Sequence, residues 1–107
     1  MTPSTLQDHA RGACRILKSM ANERRFMILC HLIEGELSVG ELEKLLGISQ
    51  SSLSQHLARL RSDGLVVPRR SAQNIFYSLR GQEARVIMEL LDGLVVSTDA
   101  EDVRRQM

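Results

Sequence analysis

Ser49-Gln50-Ser51-Ser52-Leu53-Ser54-Gln55-His56-Leu57 is the stretch on which the reading of this chain turns. With Leu60, its leucines recur at spacings of four and three, the period of a helix with one apolar side. Ser49 is placed to cap that helix and Asp63-Gly64 to end it. Around the leucines, the first two turns hold only serine, glutamine and histidine. Serine is a fair helix former at best, so propensity does not account for the choice. A helix entering the DNA major groove needs this chemistry: a narrow leading face, donors and acceptors, and no carboxylates to repel phosphates. The competing reading is a solvated helix face, and the flanking sequence decides between the two.

Upstream, Ser38 and Glu41 have the spacing of a capping box, in which hydroxyl and carboxylate each satisfy a free backbone N–H. The helix they open carries Val39, Leu42, Leu45 and Leu46 on one side and stops at Gly47. Two short helices joined through Gly47-Ile48 make a helix-turn-helix over 38–62. Downstream, Leu65-Val66-Val67 and Ile75-Phe76-Tyr77 are β-prone runs flanking the basic, polar segment Pro68 to Asn74. They predict a β-hairpin over 65–79 with a longish loop. Arg69 and Arg70 precede its turn and Gln73 follows it, so the hairpin tip is suited to the adjacent minor groove or backbone. A helix-turn-helix followed by a basic hairpin is a winged helix, and the combination is far more specific than either part.

The rest of the chain fits around this unit. Apolar residues at 6, 10, 13, 14, 17 and 20 predict a helix over 6–20. Asn22 can cap a second helix from Glu23 to Glu34, stopped by Gly35 and apolar on nearly every side, hence central. Ala84, Ile87, Met88, Leu91, Leu94 and Val95 predict a last helix over 82–96, followed by a tail at 97–107. The order is α-α-α-α-β-β-α, a mainly α fold with a small β-hairpin in one domain. The helices at 6–20 and 82–96 carry more apolar surface than one small core can cover, which predicts a partner seated on them.

Composition agrees. A chain of 107 residues with 43% apolar and 25% charged residues suits one soluble globular domain. No apolar run approaches the roughly 18 residues of a membrane span, no charged-then-apolar leader opens the chain, and two cysteines make no disulfide scaffold; the expectation is a cytoplasmic protein. Net charge is only +1, but residues 49–80 hold five arginines against the single acid Asp63. That concentration suits a polyanion such as double-stranded DNA. Nothing suggests an enzyme: there is no nucleophile elbow, phosphate loop or paired acids with a base, and the neighbours Cys30 and His31 point about 100° apart on a helix.

Four stretches together resemble the ArsR/SmtB family of bacterial winged-helix repressors, over about residues 8–96. They are Leu17 to Leu29, Leu37-Ser38-Val39-Gly40-Glu41-Leu42, Ser49 to Leu57, and Gly64-Leu65-Val66 with Phe76-Tyr77. The branch with HlyU-, BigR- and NolR-like regulators is the most similar. The resemblance implies a homodimeric repressor of a palindromic operator, released by an inducer or by thiol oxidation. The expected DNA-binding residues are Ser49, Gln50, Ser51, Ser52, Ser54, Gln55, His56, Arg59, Arg69, Arg70 and Gln73. The alternative is a winged-helix protein-interaction module that does not bind DNA.

The resemblance also raises metal sensing, but the family's Cys-Val-Cys run at the third helix reads Ser38-Val39-Gly40 here. His9, His31 and His56 fall on three different helices, and no four donors assemble, so neither metal nor cofactor is expected. Cys30 stands where thiol-switch members keep one reactive cysteine; their second, on the last helix, is replaced by Val95-Val96. Cys14 is the remaining candidate partner for Cys30 in a thiol switch. Two small buried core residues are the favoured reading of the pair.

Overall fold

The computed structural model of the chain describes residues 2–106, with side chains described for Thr2 and for residues 4–95. Helix α1 spans Pro3–Met20 and α2 spans Glu23–Leu32, followed by the two-residue strand β1 at Leu37–Ser38. Then come α3 at Val39–Leu46, α4 at Gln50–Ser62, the strands β2 at Val66–Ser71 and β3 at Asn74–Leu79, and α5 at Glu83–Gln106. The architecture is the winged helix-turn-helix expected, mostly helical. Among the described residues no helix is long and apolar enough to cross a membrane.

The helix starts follow the capping chemistry of the sequence. The Asn22 side chain accepts the Arg25 N–H at 3.0 Å, and Ser49 Oγ accepts the Ser52 N–H at 3.2 Å. At α3 the capping box closes in both directions, Glu41 N–H to Ser38 Oγ at 3.1 Å and Ser38 N–H to Glu41 Oε1 at 3.2 Å. Gly47 ends α3 in the left-handed region (φ 63°), where a Cβ would be strained, and so turns the chain directly into α4.

The core is a seam between α2 and α4. Ile28, Leu29 and Leu32 meet Leu53, Leu57 and Leu60, closed by Met20, Leu42, Leu65, Val66, Ala84 and Met88, all buried. Truncating any one of these leucines to alanine in such a seam costs about 2–5 kcal/mol. Two arginines tie the outer helices to it. Arg25 Nε donates to the Ser19 carbonyl at 2.7 Å, satisfying a carbonyl at the end of α1, and Arg85 donates to the Ile33 carbonyl at 2.8 Å.

Four details depart from the sequence expectation. The predicted two-stranded hairpin is part of a three-stranded antiparallel sheet of order β1-β3-β2, because Leu37 and Ser38 pair with Tyr77 and Phe76. A two-residue strand has no periodicity of its own to read. The hairpin loop is not long: the ladder continues to Ser71–Asn74, so Arg69 and Arg70 are strand residues and only Ala72-Gln73 turn. Ala72 takes the positive φ (53°) that a tight hairpin turn requires, without the glycine or asparagine that announces one. Leu45 is exposed rather than on the inner side of α3. Finally, α5 continues to Gln106 where a tail was expected from 97; the apolar stripe ends there, but no proline breaks the helix.

Ser19 Oγ is fully buried and finds no hydrogen-bond partner among the described residues. An orphaned buried hydroxyl costs about 1–3 kcal/mol. Ser19→Ala is therefore expected to stabilise the fold by about 1 kcal/mol, raising the thermal midpoint by roughly 4–8 °C. A lowered midpoint would show that the hydroxyl is satisfied.

Candidate nucleic-acid interface

Because Leu53, Leu57 and Leu60 are buried, the helical period turns Gln50, Ser51, Ser54, Gln55, Ala58 and Arg61 outward, and all six are exposed. Gln50, Ser54, Ala58 and Arg61 form one row along α4. That row, with Val39, Gly40 and Glu43 of α3 and Gln73, Asn74, Ile75 and Tyr77 of the wing, lines a cleft of about 640 Å³. The structure thus brings Gln50, Ser54 and Gln73 to one open surface, with Ser51 and Gln55 exposed beside it. Arg61 joins them unpredicted; its position one turn beyond Ala58 on the row of Gln50 and Ser54 was the available signal.

Other expected residues have internal work. Ser49 Oγ is taken by the cap and by Ser51 Oγ at 3.3 Å. Ser52 and His56 are half-buried. Burial and the nearby charges of Arg25 and Arg24 hold the His56 imidazole below its usual pKa, so at neutral pH it is an uncharged donor and acceptor rather than a cation. Arg59 Nε donates to Asp63 Oδ2 at 2.7 Å, an i, i+4 pair within the last turn of α4.

Strand alternation separates the two wing arginines. Arg70 is paired in register with Ile75, which lines the cleft, so both project on the cleft side. Arg69 is paired with Phe76 and projects from the opposite face. There its guanidinium carbon lies 4.8 Å from the Phe76 ring centroid, and it donates to both carboxylate oxygens of Glu36 at 2.9 and 2.7 Å. The guanidinium holds the Glu36 carboxyl below the usual carboxylate range.

A model of the family described as bacterial regulatory protein, arsR family, matches residues 22–67, which hold α2, the helix-turn-helix and the start of the wing. The transcriptional activator HlyU of Vibrio cholerae is 52% identical over 95 residues, covering 86% of this chain and 88% of that protein. The chain belongs to the ArsR family. The biofilm growth-associated repressor of Xylella fastidiosa, another similar protein, is 41% identical over 91 residues, 85% of this chain and 80% of its own length. Solved structures agree: reduced HlyU from V. cholerae superposes with a TM-score of 0.79 at 52% identity over 84% of this chain and 95% of that one. BigR from X. fastidiosa gives 0.80 at 39% identity over 88% and 96%. The chain is a transcriptional regulator, not an enzyme, and its relatives include both an activator and a repressor.

Ser38 at the position of the soft-metal cysteines is engaged in the capping box, and among the described residues no three His, Cys, Asp or Glu gather as a metal site. Neither cysteine is disulfide-bonded. Cys14 is exposed on α1, which corrects the expectation that both thiols are core: α1 meets the core through Ile16, Ser19 and Met20 near its end. Cys30 is half-buried beneath α5, its Sγ 3.8 Å from Met88 Sδ, in an apolar cavity of about 350 Å³ lined also by Phe26, Ile33, Leu91, Asp92 and Val95.

Burial first, and the Asp92 carboxylate second, push the Cys30 thiol above its ordinary pKa. Less thiolate is therefore present at neutral pH, and it appears only as the pH climbs past the normal thiol range. Removing the Asp92 charge lowers that pKa. In a Cys14→Ser background, Asp92→Asn should speed alkylation of Cys30 by iodoacetamide at neutral pH, with the two rates converging in strong alkali. Equal rates at neutral pH would remove Asp92 as a cause.

Proposed function

We propose that the chain is a homodimeric repressor binding a palindromic operator in double-stranded DNA in the cytoplasm, with α4 reading the major groove and the wing resting on the flanking backbone. One observation carries this reading: the outward row of α4 and the wing residues Gln73 to Ile75 line one cleft bearing amides, hydroxyls and the Arg61 guanidinium, with Arg70 in register with Ile75 on the same side of the wing. Gln50, Ser51, Ser54 and Gln55 supply donors and acceptors to base edges, glutamine pairing bidentately with adenine. Arg61 and Arg70 supply phosphate contact. The similar HlyU and biofilm repressor, both named as regulators of transcription, support DNA as the partner.

The dimer rests on α1 and α5. Leu6 and Leu17 of α1 and Val86, Leu90 and Val95 of α5 are each more than half exposed, and an apolar groove lined by Ala13, Ile16, Leu17, Val86 and Ile87 joins the two helices. Covering these stripes with a second copy is the economical burial. Cys14 and Cys30, in such different settings, act as independent thiols in this reading rather than as an oxidisable pair.

Gln50→Ala should relax sequence preference across a panel of operator variants while leaving the dimer intact; unchanged preference would take Gln50 out of the groove. Removing the Arg61 and Arg70 charges together should lower the slope of log affinity against log salt by roughly 1–2 per half-site. A parent chain whose DNA affinity is weak and insensitive to salt would instead favour the protein-interaction module.

A further inference from the structure

The wing is attached to the body by more than its strand pairing. β1 contributes only two residues to the sheet, so the edge where wing meets body is held by a short ladder. Arg69 crosses that edge. It starts on β2, passes over Phe76 of the central strand β3, and ends in a two-pronged hydrogen bond on Glu36, the residue just before β1. One side chain thus spans the width of the three-stranded sheet, from β2 across β3 to β1. Arginine suits the role, because its planar fork meets a carboxylate at two points and stacks on an aromatic face at once.

The strap has a consequence for DNA. Glu36 takes the Nε–H and one Nη2 N–H of Arg69, the side edge of its guanidinium, and Arg69 projects from the face opposite the cleft. Its neighbour Arg70, one residue on, is on the cleft side with Ile75. We propose that Glu36 is a positioning residue for DNA binding: acting through Arg69, it fixes the wing's angle to α3 and α4 and leaves Arg70 as the wing's phosphate contact. The inference rests on the DNA-binding reading above and deepens it, since it divides two adjacent arginines into one that touches DNA and one that aims the hairpin. The low pKa of the Glu36 carboxyl keeps the strap charged well below neutral pH.

Binding is measured by fluorescence anisotropy on a duplex selected with the parent protein from random DNA, over a series of salt concentrations. Arg70→Ala should lower the salt slope by about 1 per half-site. Glu36→Gln and Arg69→Ala should each weaken binding roughly two- to fivefold at every salt concentration with the slope unchanged, the scale of an exposed ion pair, and the double variant should be no weaker than either single one. Arg69→Glu alone should bind worse, and the exchanged pair E36R with R69E should recover most of that loss, since the ion pair is restored while residue 69 carries a negative charge. Amide exchange at Leu37 and Tyr77, paired across β1 and β3, should quicken in Glu36→Gln and return toward the parent rate in the exchanged pair, a readout that needs no DNA. A salt slope reduced by Arg69→Ala as much as by Arg70→Ala would place Arg69 on a phosphate and overturn the inference, as would an exchanged pair that binds no better than Arg69→Glu. A parent protein that fails to bind duplexes in a salt-dependent way would overturn the DNA-binding reading itself.

Discussion

Complete burial of Leu53, Leu57 and Leu60 against α2 is the constraint from which the rest of the molecule follows. Once three positions of a helix are fixed inward, its period assigns every other position. The polar residues between them have no freedom to turn in, and α4 presents Gln50, Ser54, Ala58 and Arg61 as one outward row. The same seam uses up the inner face of α2. Little core area is then left for α1, which docks through Ile16, Ser19 and Met20 near its end, or for α5, which contributes Ala84 and Met88 and leaves much of its apolar length outside.

What was legible in the sequence was what local chemistry dictates. Caps at Asn22, Ser38 and Ser49, the glycine stop at 47 and the leucine period are all written within four residues of where they act, and they stand in the structure as read. The family motifs added the identity of the unit those elements build. What escaped was non-local or unannounced. β1 exists only because Leu37 and Ser38 find β3 about 40 residues later, and the hairpin turn hides because alanine occupies its left-handed position. The ion pair of Arg69 with Glu36 joins residues 33 positions apart, so no spacing rule reveals it.

The short turn bears directly on how the two wing arginines are placed. Two arginines in a loop have no defined faces, and both are naturally assigned to DNA. Two consecutive arginines in a strand must point to opposite sides of the sheet, and a strand is what they occupy. Arg61 was missed for the opposite reason: it lies in the last turn of α4, beyond the serine-rich part that draws attention. The cysteines show the same dependence on packing. Sequence placed both on apolar stripes, yet one stripe faces outward and the other sits under α5, so chemically identical side chains receive different environments.

A chain of net charge +1 that binds a polyanion has to economise on cations. Of the five arginines in residues 49–80, Arg59 is held by Asp63 and Arg69 by Glu36, and Glu43 also lines the cleft. Each half-site then releases few counterions, and the electrostatic part of the affinity of a single copy stays small. In the proposed dimer, joining two copies through α1 and α5 would make the second half-site contact effectively intramolecular and multiply affinity without any further charge. The same proposed dimer would make binding sensitive to the separation of the two recognition helices, since half-sites of such a dimer lie about 34–36 Å apart, one turn of the double helix. Weak charge per copy and the exposed apolar stripes of α1 and α5 are complementary in that proposed dimer: the first would limit hold on arbitrary DNA, and pairing through the second would restore affinity where two correctly spaced half-sites occur together.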